Sequence, residues 1–190
     1  MDLAAMLLDF KKTYGKIPWE FLEAVMATLG FEQQWILGMG AFYRDVSSQV
    51  LMVGSMGKSF KILRSVCKGC PSALYLYIIA IEALHYQIAD RFWQIQGLTL
   101  PDDVGMVLDM TYANDTMTFV KGNANNLGVL QNTIESEFCR GSYAKINCNK
   151  SVDIWINNNP VLNRAPDPNF KWLRNGEATR YLGFKIGMDI

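Results

Sequence analysis

A near-continuous apolar run, AAMLLDF, broken only by Asp9, restricts the fold of this chain more than any other stretch. So short and unbroken a run suits a buried strand, and its end delivers the Asp9 carboxylate. Pro18 then stands at an expected first helical position, and Phe21, Leu22, Val25, Met26 and Leu29 recur at helical spacing until Gly30 stops them. A second helix is expected from about Glu32 to Tyr43. SQVLMV and SFKILRSV, separated by GSMGK, read as a hairpin, and Ala73 to Trp93 reads as a long helix. VGMVLDMTY and TMTFV form a second expected hairpin that turns at Ala113 to Asp115. Asn125 to Phe138 reads as a helix, followed by short strands near Lys145, from Val152 to Ile156 and from Tyr181 to Ile186.

Strands and helices mix without regular alternation, which favours an α+β fold: an antiparallel sheet with helices packed on one face. At 190 residues, half of them hydrophobic, the chain supports one domain spanning 1–190. The asparagine- and proline-rich stretch over 157–170 is its clearest loop.

Charge and cysteine usage exclude several classes. With 18 basic and 18 acidic residues the net charge is zero, so no global field grips nucleic acid by phosphate neutralisation. Any such site is a local patch, and Lys11, Lys12 and Lys16 flank Asp9. MDLAAMLLDFKK lacks a basic segment ahead of its apolar run, and the stretch Ala73 to Leu84 carries Glu82 and falls short of a bilayer span. A soluble intracellular protein of cytoplasm or nucleus, without membrane contact, is expected. Cys67, Cys70, Cys139 and Cys148 fit free thiols, since Cys67-x-x-Cys70 has no second ligand pair for zinc. GSMGKS ends like a phosphate-binding loop, but Met52 stands where its first glycine belongs and the segment joins strands. His85 reads as a partly buried helix residue.

Asp9 and Asp115 would meet if the first strand lay beside the second hairpin. Such a pair suits magnesium, which takes oxygen ligands and is held by one or two carboxylates plus substrate phosphates. Two such ions would activate an attacking hydroxyl and stabilise the leaving oxygen of a phosphoryl transfer.

The order of the motifs carries a resemblance. LDFKKTYGKIPWEFL resembles the first catalytic motif of reverse transcriptases (RNA-directed DNA polymerases) of non-LTR, LINE-type retrotransposons, with Asp9 at its metal-binding aspartate. RSVCKGCPSALYLYIIAIEAL resembles the motif written around R-Q-G-C-P, TYANDTMTFVKG the catalytic Y-A-D-D turn, AKINCNKS the next motif with its lysine, and RYLGFKIG the primer-gripping hairpin. The matches keep the family's order from about Leu3 to Gly187.

The resemblance implies a polymerase palm binding an RNA template, a DNA primer and a dNTP with Mg2+. Asp9 and Asp115 would be metal ligands, with Phe10 lending its backbone carbonyl to the same metal. Tyr14 would lie under the incoming sugar; an ordinary buried tyrosine is the plain alternative. Gly69 would let the backbone approach the templating pair, and Lys150 would lie near the leaving pyrophosphate. Tyr181, Leu182 and Gly183 would support the primer end.

The departures imply impairment. Asn114 stands where the Y-A-D-D turn has its first aspartate, so one of three formal negatives is lost. Cys67 and Lys68 replace arginine and glutamine, Ser72, Ala73 and Leu74 replace Leu-Ser-Pro, and Gly15 replaces a common aspartate. Met1 lies eight residues before Asp9, so a degenerate copy with its fingers largely missing and its thumb absent is expected, completed if at all by another chain. The alternatives are a non-catalytic palm scaffold binding RNA or protein, a working polymerase that tolerates asparagine, and a decaying element without a selected role.

Overall fold

A computed structural model describes residues 3–11, 13–65, 70–156, 171–173 and 176–187. The apolar run forms β1 (Leu3–Asp9) and is followed by a single 3-10 turn, Thr13–Gly15. Helices α1 (Trp19–Thr28) and α2 (Gln33–Ala41) come next, then four two-residue strands, β2 (Ser47–Ser48), β3 (Leu51–Met52), β4 (Ser55–Met56) and β5 (Phe60–Lys61). Helix α3 (Ala73–Asp90) leads to β6 (Leu98–Thr99), β7 (Met106–Val107), β8 (Asp109–Tyr112) and β9 (Asp115–Lys121). Helix α4 (Ala124–Asn132) runs into a π-helical stretch, Thr133–Cys139. The chain ends with β10 (Val152–Ile156), β11 (Lys171–Trp172), β12 (Ala178–Tyr181) and β13 (Phe184–Gly187).

Strand β1 lies at the centre of a five-stranded sheet in the order β11-β10-β1-β9-β8. It pairs antiparallel with β9, from Leu3 opposite Lys121 to Asp9 opposite Asp115, and antiparallel with β10, from Leu3 opposite Ile156 to Leu7 opposite Val152. Among the described residues only β10 and β11 pair in parallel. Alternate residues of β1 leave opposite faces. Ala4, Met6, Leu8 and Phe10 enter a core with Ile81, Leu84 and Ile88 of α3, Leu127 and Leu130 of α4, and Ile134 and Phe138. Leu3, Ala5 and Leu7 enter a second core with Phe119, Val152, Ile154 and Leu173, against which Leu98, Val107, Tyr181 and Ile186 pack. Helices therefore occupy one face, as the sequence led us to expect, while the hairpins β6–β7 and β12–β13 cover the other. Both faces being dry is the reason the β1 run has no polar break before Asp9.

A third core joins α1, α2 and the first turns of α3 through Ile17, Leu22, Met26, Ile36, Tyr43, Leu76 and Tyr77. Gly30 ends α1 with φ +84°, and the paired bonds from Gly30 N–H to the Ala27 carbonyl and from Phe31 N–H to the Met26 carbonyl satisfy the last turn.

Three boundaries differ from expectation. Pro18, with ψ 148°, is the residue that caps α1 and not its first helical residue. The first hairpin is nested, β3 with β4 inside β2 with β5, and reverses at Val53–Gly54, at the start of GSMGK, whose Ser55 and Met56 form β4. Helix α3 stops at Asp90, three residues short of Trp93. Cys67, Gly69 and the 157–170 loop lie outside the described residues.

Candidate active site

Register decides the site. Asp9 is the last residue of β1 and sits directly opposite Asp115, the first residue of β9. Residues paired directly across antiparallel strands project from the same face. Here it is the face of Leu7 and Met117, the one covered by β12–β13. Strands β8 and β9 are joined by Ala113 and Asn114, with Tyr112 paired to Asp115 and Ala113 at φ +54°. The turn thus holds Asn114 beside the two acids.

Its amide faces both of them. Asn114 Nδ2 donates to Asp9 Oδ1 and to Asp115 Oδ1, each at 3.4 Å, while Asn147 Nδ2 donates to Asp9 Oδ2 at 2.7 Å. Burial, and then the neighbouring Asp9 charge, hold the Asp115 carboxyl above the ordinary aspartate range against the lowering effect of Lys150. The Tyr181 hydroxyl donates to the Asp115 backbone carbonyl at 3.2 Å. Burial and the Asp115 charge push its ionisation up to about 12, so it remains a neutral donor.

Around the acids opens a cleft of about 420 Å³ whose lining includes Asp9, Asp115, Lys150, Lys171, Arg180 and Leu182. A lining that combines the carboxylates of Asp9 and Asp115 with the cations of Lys150, Lys171 and Arg180 suits a ligand that brings both a divalent cation and phosphate. The fit to magnesium is partial. Asp9 and Asp115 supply hard oxygens, but one Asp9 oxygen is taken by Asn147, and Asn114 contributes no charge. Among the described residues no three His, Cys, Asp or Glu side chains converge as a metal site.

The other expected residues divide. Phe10 buries its ring edge-on against Phe138 at 5.7 Å, leaving only backbone for any role in the cleft. Tyr14 stacks on Tyr77 at 4.4 Å, against the core of α1 and α3, and does not line the cleft. Leu182 and Gly183, at φ +48° and +84°, form the turn of the β12–β13 hairpin, and Leu182 reaches the cleft. Gly69 lies outside the described residues.

No protein-family profile matches the chain. The transposon TX1 uncharacterized 149 kDa protein of Xenopus laevis is 26% identical over 153 residues, which is 80% of this chain and 11% of that protein. The apo telomerase of Candida tropicalis truncated from its C-terminal domain superposes with a TM-score of 0.66 at 15% identity, over 98% of this chain and 34% of that one. The telomerase of Candida albicans in complex with a TWJ fragment of telomeric RNA gives a TM-score of 0.67 at 14% identity, over 98% and 29%. The chain is similar in sequence to a transposon protein and in fold to telomerases. Its fold is palm-like, and it spans about a tenth of the transposon protein and about a third of the telomerases.

Two groups of residues in this palm-like fold could not be read from the sequence. Asn147 and Ser151 lie in the AKINCNKS motif, quoted for its lysine, yet both contact Asp9. Their signal was a polar residue on each side of Lys150. Arg180 and Lys171 reach the cleft only because β12–β13 folds back over the sheet and β11 joins its edge, neither of which spacing reveals. His85, read as partly buried, is half-exposed and bonds at 2.9 Å to Asp109, whose side chain is buried and whose carboxyl is held above the ordinary range by burial.

Proposed function

We propose that this chain is a retrotransposon-derived reverse transcriptase palm built for templated DNA synthesis, and that Asn114 impairs it strongly. Asp9 and Asp115, with the Phe10 backbone carbonyl, would hold magnesium, which when bound supplies activation of the primer hydroxyl and neutralisation of the phosphates. Lys150 would place its charge beside the leaving pyrophosphate, and the β12–β13 turn would support the primer end. The telomerase solved with telomeric RNA supports an RNA template as the class of partner.

The observation that carries the impairment is the position of the Asn114 amide, within 3.4 Å of both acids. A third carboxylate there would add a negative charge at the point where cations gather. The amide instead donates to Asp9 and Asp115 and relieves their repulsion without a cation. Loss of one preorganised electrostatic group costs about 100-fold to 1,000-fold in rate. On a DNA primer annealed to an RNA template, with Mg2+, Asn114→Asp is expected to raise extension about 100-fold or more, and Asp9→Ala to abolish it. Equal extension by the unaltered chain and the Asn114→Asp variant would remove the proposal of impairment.

A second reading, a non-catalytic scaffold that binds RNA or protein, is favoured by the amide donors on both Asp9 oxygens. RNA retention that is indifferent to Mg2+, with no extension by either version, would select it.

A further inference from the structure

We propose that Asn147 is the positioning residue of this site, fixing the Asp9 carboxylate through Oδ2 so that Oδ1 is the oxygen left on the side of Asn114. The inference rests on the reading of Asp9 and Asp115 as cation ligands. It stands on a set of bonds that converge on one residue. The Asn147 side-chain amide donates to Asp9 Oδ2 at 2.7 Å, and the Asn147 backbone N–H donates to the Asp9 carbonyl at 2.7 Å. The Asp9 backbone N–H donates to Ser151 Oγ at 3.1 Å. All three kinds of polar group on Asp9, its N–H, its carbonyl and its carboxylate, are therefore held by one short segment, Asn147 to Ser151.

The segment is itself rigidly closed. The Asn147 carbonyl accepts from the N–H groups of Lys150 and Ser151, both at 2.8 Å. Ahead of it, Phe10 bridges Ile146 and the Lys11 N–H donates to the Lys145 carbonyl at 2.7 Å. The residue that orients the acid and the residue that carries the nearby cation thus belong to the same turn, which links the backbone of Lys150 to Asp9.

An aspartate at a strand end turns freely about its terminal torsion, whose well is broad. A 2.7 Å bond to one oxygen removes that freedom, and such a length is typical of charge-assisted bonds. Metal ligands held in this way lose about 10-fold to 100-fold in affinity when the orienting partner is removed. A residue that only shaped the turn would act through its main chain, which any side chain preserves.

The test uses the full chain carrying Asn114→Asp and reads Mn2+ binding by electron paramagnetic resonance. Asn147→Ala, and Asn147→Leu, which keeps the bulk and removes the donor, are each expected to weaken Mn2+ about 10-fold to 100-fold while circular dichroism stays unchanged. In parallel, a double-mutant cycle of Asn147→Ala with Asp9→Ala, read by urea unfolding without metal, is expected to show coupling of about tenfold or more in the unfolding equilibrium. Mn2+ affinity untouched by either Asn147 variant, with Asp9→Ala abolishing it, overturns the proposal, and so does an absence of coupling. Coupling without Mn2+ binding in any version upholds the clamp on Asp9 and refutes the cation reading of the site.

Discussion

A carboxyl held above its ordinary range has a sign that can be checked. Asp115 is raised by burial and by Asp9, and Asp109 by burial. Between the unfolded aspartate value and these raised folded values the native chain binds more protons than the unfolded one, so stability falls as pH rises through that window. Asp115→Asn removes the penalty. It is expected to raise the urea midpoint at pH 7, with the gain shrinking as pH falls toward the unfolded aspartate value; a gain that did not depend on pH would contradict the assignment. The reasons Asp9, Asn114, Asp115 and Lys150 could be named from sequence, and Asn147 could not, are also residue-scale. The first four occupy the acid, turn and lysine positions of quoted motifs. Asn147 earns its place through a bond to a residue 138 positions away.

At the scale of elements, the strands and helices follow from apolar periodicity, and their ends depend on backbone chemistry. The β3–β4 hairpin reverses through Val53 at φ +48° and Gly54 at φ +81°. Positive φ at both central residues is the geometry that favours Asn-Gly, and a β-branched residue there is strained. Val53→Asn is expected to relieve about 1 kcal/mol, seen as about fivefold slower hydrogen exchange at the Gly57 N–H, which bonds to the Val50 carbonyl at 2.9 Å. Unchanged exchange would show that the turn carries no such strain. Gly122, just after β9, behaves oppositely. A methyl group there would overlap the Trp155 ring, which stacks on Trp172 at 4.5 Å. Gly122→Ala is expected to cost about 1–3 kcal/mol and to alter near-ultraviolet circular dichroism while the far-ultraviolet spectrum stays.

For the whole molecule, α3 is the shared member. Leu76 and Tyr77 on its first turns belong to the core with α1 and α2, and Leu84 and Ile88 to the core beneath the sheet. Both leucines are 1% exposed. Leu76→Ala and Leu84→Ala are each expected to cost about 2–5 kcal/mol and to shift one common unfolding transition. Separate transitions for the two would show that the cores unfold independently. Among the described residues no helix is long and apolar enough to cross a membrane.

By itself the sequence determined the buried β1 strand, the α+β class, the helices on one face, the turn that carries Asn114 and the motif order, because these rest on local periodicity, turn chemistry and residue identity. Tertiary structure alone decided that Asp9 stands opposite Asp115, that hairpins and not helices cover the second face, that Lys171 and Arg180 reach the acids, and that Asn147 holds Asp9. Each of these depends on strand order and register, which join residues far apart in the chain. A slip of one residue in the β1–β9 register would turn one of the two acids to the opposite face of the sheet.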